Sequence, residues 1–206
     1  TIPFTEPTPQ DAVTISTSSV TVNITSDENL SECILTWSES LASGISLGDG
    51  SDGALSVSAA NTIINNYSEL TTNITSGMTE ISVTQNSNFT TNDEILIIQM
   101  QNGSCSEYDS GAYEFATIQS ISQADGTNLT LTTALQNSYG SGGFRSNVSC
   151  AAQVVKIPHY TTVTVDEAAS ITGEYWNGRT GGIITFRANG YVNITGNVNA
   201  SHLGYI

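Results

Sequence analysis

Short runs of alternating apolar and polar residues, interrupted about every ten positions by Gly, Asn and Ser, constrain this 206-residue chain more than any other feature. Val20-Thr-Val-Asn-Ile24 is a clear example. Successive side chains in a strand point to opposite faces, so Val20, Val22 and Ile24 share one face while Thr21 and Asn23 share the other. The same reading predicts strands near Val13–Ile15 and Cys33–Trp37, and near 54–58, 62–67, 79–84, 94–101, 112–121, 128–133, 151–157, 161–165, 183–187 and 191–195. Glu94–Gln101 is apolar on both faces and is therefore expected at the centre of a sheet. No stretch sustains a capped period of 3.6, and Thr62–Leu70 alone offers a turn of helix as an alternative. The expected class is all-β.

The pattern also divides the chain. Residues 1–40 form an N-terminal β-strand segment, opened by Pro3, Pro7 and Pro9, which cannot donate to a ladder. Residues 41–53 are rich in Gly and Ser and read as a linker. Residues 54–206 read as a β-sandwich or jelly-roll-like body. At its end, Gly181–Gly190 and Tyr191–Ala200 look like two successive short rungs of a β-solenoid, each with an Asn/Gly corner.

Composition narrows the setting. Apolar residues make up 38% and charged residues only 11%, because Ser, Thr and Asn supply the polarity. That suits strands with one wet face. The longest aliphatic run, Ile95–Ile98, falls far short of the ~20 residues of a membrane-spanning helix. Residues 1–144 hold 16 acids and no base; residues 145–206 hold 3 acids and the bases Arg145, Lys156, Arg179 and Arg187, giving the net −15. A phosphate-binding surface needs clustered cations, so nucleic acid and anionic membrane are unexpected partners. The start at Thr1-Ile2-Pro3 reads as a mature terminus after removal of a leader.

Ten Asn-x-Ser/Thr sequons begin at Asn23, Asn29, Asn66, Asn73, Asn88, Asn102, Asn128, Asn147, Asn193 and Asn199. With 18 Asn and 55 Ser plus Thr, chance placement gives 18 × 55/206, about five. Such sites accept N-glycans on exported proteins, so an extracellular glycoprotein is expected. The spacing of Cys33, Cys105 and Cys150 excludes a C-x-x-C zinc motif. Cys105 and Cys150 sit in polar segments that a disulfide would join, leaving Cys33 as a buried thiol.

Little points to catalysis. His159 and His202 lack a nucleophile-elbow context. The acidic pairs Asp27-Glu28, Asp93-Glu94 and Asp166-Glu167 point to opposite faces and read as solvated turn residues. Asp49 and Asp52 in Gly48-Asp-Gly-Ser-Asp-Gly53 offer oxygen ligands to Ca²⁺ without the full EF-hand spacing, so a plain turn is favoured. Trp37, Trp176, Tyr175 and Tyr191 are suited to stacking on sugars, yet are expected in the core.

Two resemblances extend this reading. Pro7-Thr-Pro-Gln-Asp-Ala12, Ser19-Val-Thr-Val-Asn-Ile-Thr25 and Leu30-Ser-Glu-Cys-Ile-Leu-Thr-Trp37 resemble the opening strands of Ig-like modules in archaeal and bacterial surface proteins. Such a module needs about seven strands, and three are visible before the linker. The remainder resembles a module of large secreted prokaryotic cell-surface proteins. The residues that carry this likeness are Gly48–Ala54, Asn92–Gln101, Tyr113-Glu-Phe115, Ala134–Tyr139, Gln153–Tyr160 and Trp176–Gly182. Relatives of that kind often continue past a Gly-Tyr such as Gly204-Tyr205 into glycine-rich repeats, so the chain reads as a processed piece or a short relative. The resemblance implies an extracellular structural or adhesive role and no catalytic residues.

The expected function is therefore a non-enzymatic subunit of an extracellular filament or surface layer. Val13, Ile15, Val20, Val22 and Ile24 would pair into the sheet edge of the next copy, giving a head-to-tail polymer. A carbohydrate-binding or adhesin module is the alternative.

Overall fold

The computed structural model describes residues 46–84, 88–103, 105, 107–122, 127–141 and 150–204. All belong to the unit Ile45–Ile206. The segment 1–40, with its assembly strand, Asn23, Asn29, Cys33 and Trp37, lies outside the described residues, as do Arg145 and Asn147.

The described residues form strands and no helix. They are β1 (Ala54–Val57), β2 (Thr62–Ile63), β3 (Tyr67–Glu69), β4 (Glu80–Ser82), β5 (Glu94–Asn102), β6 (Tyr113–Ser122), β7 (Asn128–Leu131), β8 (Cys150–Ile157), β9 (His159–Tyr160), β10 (Thr162–Val165), β11 (Ser170–Thr172), β12 (Arg187–Ala188), β13 (Val192–Ile194) and β14 (Asn197–Val198). The all-β class read from the alternation is the class found. Within Thr62–Leu70 the chain forms the short strands β2 and β3, not a helical turn. No helix among these residues is long and apolar enough to cross a membrane.

β3 to β8 make one antiparallel sheet, in the order β3-β8-β5-β6-β7-β4. The sheet curls until its edges meet: Leu70 bridges Val83, Thr71 N–H donates to the Ser82 carbonyl at 2.9 Å, and Thr84 N–H donates to that of Glu69 at 3.0 Å. Curling gives the sheet an inside. Ile81, Ile95, Ile97, Ile118, Leu129, Leu131 and Val154 fill it, with Phe89, Leu135 and Tyr139 from the connections. Each such side chain contributes roughly 1.5–3 kcal/mol by leaving water. β5 is central, as its doubly apolar pattern requires. Its outer face, at Leu96 and Ile98, packs with Tyr67, Val155, Ile157 and Ile183.

The remaining strands are parallel. They form three small sheets, β1-β10-β13, β2-β11-β14 and β9-β12. These are faces of a short solenoid. β1 and β2 belong to its first turn, β9–β11 to the second, and β12–β14 to the last. The whole antiparallel sheet is inserted between the first turn and the second.

Side chains at matching registers stack into columns. Leu55, Val163 and Val192 form one, and Val57, Val165 and Ile194 form another. Thr62, Ile171 and Val198 form a third. This corrects the reading of Gly181–Gly190 and Tyr191–Ala200 as rungs stacked on each other. β12, β13 and β14 pair with β9, β10 and β11 instead. The Asn/Gly corners that suggest separate rungs are bends within a single turn. One of them cannot carry a side chain, because a Cβ at Gly196 would collide with the carbonyl oxygens of Asp166 and Ala169.

Buried amides join the two parts. Gln153 donates to the Gly181 carbonyl and accepts its N–H, each at 2.9 Å. Asn65 does the same for Thr185, at 2.6 and 3.1 Å. Among the described residues every buried side-chain nitrogen and oxygen is partnered, as buried polar groups must be to avoid the cost of desolvation. Cys105 and Cys150 form a disulfide with Cα atoms 5.7 Å apart, within the usual span for such a bridge.

Candidate functional site

Where the solenoid meets the outer face of the antiparallel sheet, four distant segments bring charged groups together. β9 supplies His159, β5 supplies Glu94, β12 supplies Arg187, and the segment before β1 supplies Asp49 and Asp52. Glu94 Oε1 accepts from Arg187 Nη2 at 2.7 Å, and Oε2 accepts from Arg187 Nε. Oε2 also lies 2.8 Å from His159 Nε2. The other ring nitrogen, Nδ1, lies 3.0 Å from Asp49 Oδ1. Arg187 Nη1 donates to the Ser46 carbonyl at 2.6 Å, and its guanidinium carbon sits 5.1 Å from the centre of the Phe115 ring. Lys156 pairs with Asp93 at 2.9 Å and lies 3.9 Å from Asp52.

The backbone permits this convergence at one demanding point. Gly48 has φ +89°, and a Cβ there would lie 2.8 Å from Arg187 Cβ and 3.1 Å from the His159 ring. Only glycine accommodates both the left-handed conformation and the close approach.

Protonation follows from the contacts. Burial pushes Glu94 upward, but hydrogen bonds from Arg187 and His159, with their charge, outweigh it and hold the carboxyl below its usual value. Asp49 is held at about 2, first by the backbone N–H of Ser51.

Several sequence expectations change here. Asp93 and Glu94 are not solvated turn residues; they are ion-paired, with side chains only 13% and 15% exposed. Asp166 and Glu167 are exposed, as expected. Of the carboxylates proposed for Ca²⁺, Asp49 faces His159, while Asp52 Oδ2 accepts from the His159 backbone N–H at 2.7 Å. No group of three or more His, Cys, Asp or Glu among the described residues is arranged to hold a metal ion. His159 has a carboxylate on each ring nitrogen and no hydroxyl or thiol bonded to it among those residues. His202 is exposed. The cations Lys156, Arg179 and Arg187 pair with Asp93, Glu69 and Glu94 of the acidic part of the chain.

Tyr175 and Tyr191 are not core; they are exposed, and Trp176 is half-buried. Tyr191 belongs to the last turn, over which no further turn is stacked among the described residues. Tyr113 and Phe115 are also exposed, which the sequence did not signal. Their alternation located the strand but could not show which face stays open.

A second feature is the end of the solenoid. In the middle turn Val163, Val165 and Ile171 are fully buried, whereas their column partners Val192, Ile194 and Val198 are 46%, 40% and 46% exposed. The outer edges of β12, β13 and β14 have no strand beside them among the described residues. The described sequon asparagines all reach the surface: Asn73, Asn88, Asn193 and Asn199 are exposed, and Asn66, Asn102 and Asn128 are half-exposed.

No family model and no curated protein matches the chain. Among solved structures it is similar to the tailspike gp49 of Pseudomonas phage LKA1 (14% identity, TM-score 0.32, 60% of this chain and 27% of that one). It is also similar to the tailspike gp61 of Pseudomonas phage phi297 (10%, TM-score 0.34, 68% and 21%). A third is the gp54 tailspike of Acinetobacter baumannii bacteriophage AP22, solved in complex with A. baumannii capsular saccharide (15%, TM-score 0.35, 70% and 22%). The chain spans less than a third of each tailspike, and scores this low carry no functional assignment.

Proposed function

We propose that this chain is a non-catalytic structural subunit of an extracellular, N-glycosylated fibre or surface layer, assembling head to tail by β-strand addition. The observation behind this reading is the last solenoid turn. It combines parallel strand edges that no described strand pairs with and three aliphatic column ends at 40–46% exposure. An edge of that kind is a template for another strand. The donor in this reading is the N-terminal run Val13, Ile15, Val20, Val22 and Ile24, whose apolar spacing of two matches Val192 and Ile194. Head-to-tail exchange does not close on itself and so yields a fibre. Sequon asparagines at the surface, two of them (Asn193 and Asn199) in or beside the strands of the last turn, agree with a glycoprotein whose sugars border the assembling edge.

Electron micrographs of the purified glycoprotein should show fibres. Deleting residues 1–25, or replacing Ile194→Lys, should each leave a soluble particle of single-chain mass by light scattering. Discrete particles from the unaltered protein, or fibres that survive both changes, would overturn the proposal.

A further inference from the structure

The outward face of β6 raises a separate question. β6 pairs with β5 along Tyr113–Thr117 and with β7 along Ile118–Ser122, so β5 fixes the backbone at Tyr113 and Phe115. Its inward residues Ala116 and Ile118 are buried in the curled sheet. On the other face Tyr113 and Phe115 remain 57% and 49% exposed, with ring centres 5.8 Å apart and planes at 73°. Two large aromatic side chains left open on a strand paired to the sheet forgo the burial such residues normally obtain, which points to a ligand.

Arg187 adds the polar half of a site. Glu94 and the Ser46 carbonyl fix its guanidinium over one side of the Phe115 ring and occupy three of its N–H groups. Arginine has five, so two remain without a partner among the described residues. Exposed aromatic surface next to oriented N–H donors matches a pyranose ring, which presents C–H groups on its face and hydroxyl acceptors around its rim.

We propose that Tyr113, Phe115 and Arg187 form a binding strip for a neutral saccharide. Charge selects neutral over acidic sugars. Glu94 matches the Arg187 charge, and the chain as a whole carries −15, so the strip has no excess cation among the described residues to hold a carboxylate or sulfate. Size selects a saccharide over a protein, because two rings and a guanidinium are far smaller than the ~1,200 Å² of a stable protein interface. Tyr113 and Phe115 lie on β6, and Arg187, on β12 of the last turn, is held in place by Glu94 and Ser46 of the same chain, so the strip does not depend on assembly.

Affinity electrophoresis of the whole chain tests this, through gels containing glucan, mannan, galactan or polygalacturonate. At least one neutral polysaccharide should retard the protein, and polygalacturonate should not. The double variant Tyr113→Ala/Phe115→Ala, checked by an unchanged melting temperature, should lose at least tenfold in affinity, while Phe115→Trp should retain binding. Deletion of residues 1–25 should leave retardation intact, which separates this proposal from the assembly reading. Failure of every neutral polysaccharide to retard the chain, retardation by polygalacturonate alone, or binding that survives the double variant would each overturn it.

Discussion

Glu94 and Arg187, 93 positions apart, form a two-pronged ion pair that ties the centre of the antiparallel sheet to the last turn of the solenoid. Their side chains are 15% and 20% exposed, between the surface case, where such pairs contribute little, and the buried case, where losing one partner is costly. Glu94→Gln should therefore lower stability by about 2 kcal/mol, read as a fall in melting temperature of roughly 4–8 °C.

The same pair sets an acid limit. The folded Glu94 carboxyl is held below its ordinary value. A depressed carboxylate contributes fully above its unfolded pKa of about 4.3, and the contribution is lost as pH falls through the lower folded value. Denaturant midpoints measured from pH 6 to pH 3 should fall more steeply in the native protein than in Glu94→Gln. Parallel curves would show that the pair does not govern the acid limb.

The Cys105–Cys150 disulfide closes a separation of 45 residues. Chain entropy alone assigns such a bridge about 4 kcal/mol. Cys105→Ser/Cys150→Ser should melt roughly 8–16 °C lower. An unchanged melting temperature would mean that the unfolded chain is already restrained between those positions.

Neighbours in one solenoid column should respond differently to truncation. Ile171 is fully buried in the middle turn, and Val198, stacked on it, is 46% exposed. Ile171→Ala should cost about 3 kcal/mol through lost contacts and the cavity left behind. Val198→Ala should cost less than about 1 kcal/mol in the isolated chain. Equal losses would mean that the end of the column is covered in solution, which a melting temperature dependent on protein concentration would confirm.

Much of the local structure was legible in the sequence. A run apolar on both faces at Glu94–Gln101 and alternation at Tyr113–Phe115 and Leu129–Leu131 placed β5, β6 and β7, because both patterns are properties of neighbouring residues. Three of the shortest strands, β9, β11 and β14, were not legible, since so short a run shows no period, while β4 and β13 fell within predicted runs. The candidate sites were less visible still. Nothing near Glu94 in sequence signals Arg187, and the reading of Asp93-Glu94 as solvated failed because both partners, Lys156 and Arg187, come from beyond position 150. Tyr191 and Tyr175 were expected inside because aromatic residues usually are; their exposure depends on what stacks above them.

The amino-acid order alone determined that this chain is built of short strands, acidic through its first 144 residues and dense in sequons. These are matters of composition and of neighbours along the chain. Only the tertiary structure decided that a curled antiparallel sheet interrupts a parallel solenoid, which residues share a column, and which aromatic face stays open. Pairing partners such as Leu55 and Val163 lie more than a hundred positions apart, and the free energy that selects them comes from packing between segments, which no local pattern records.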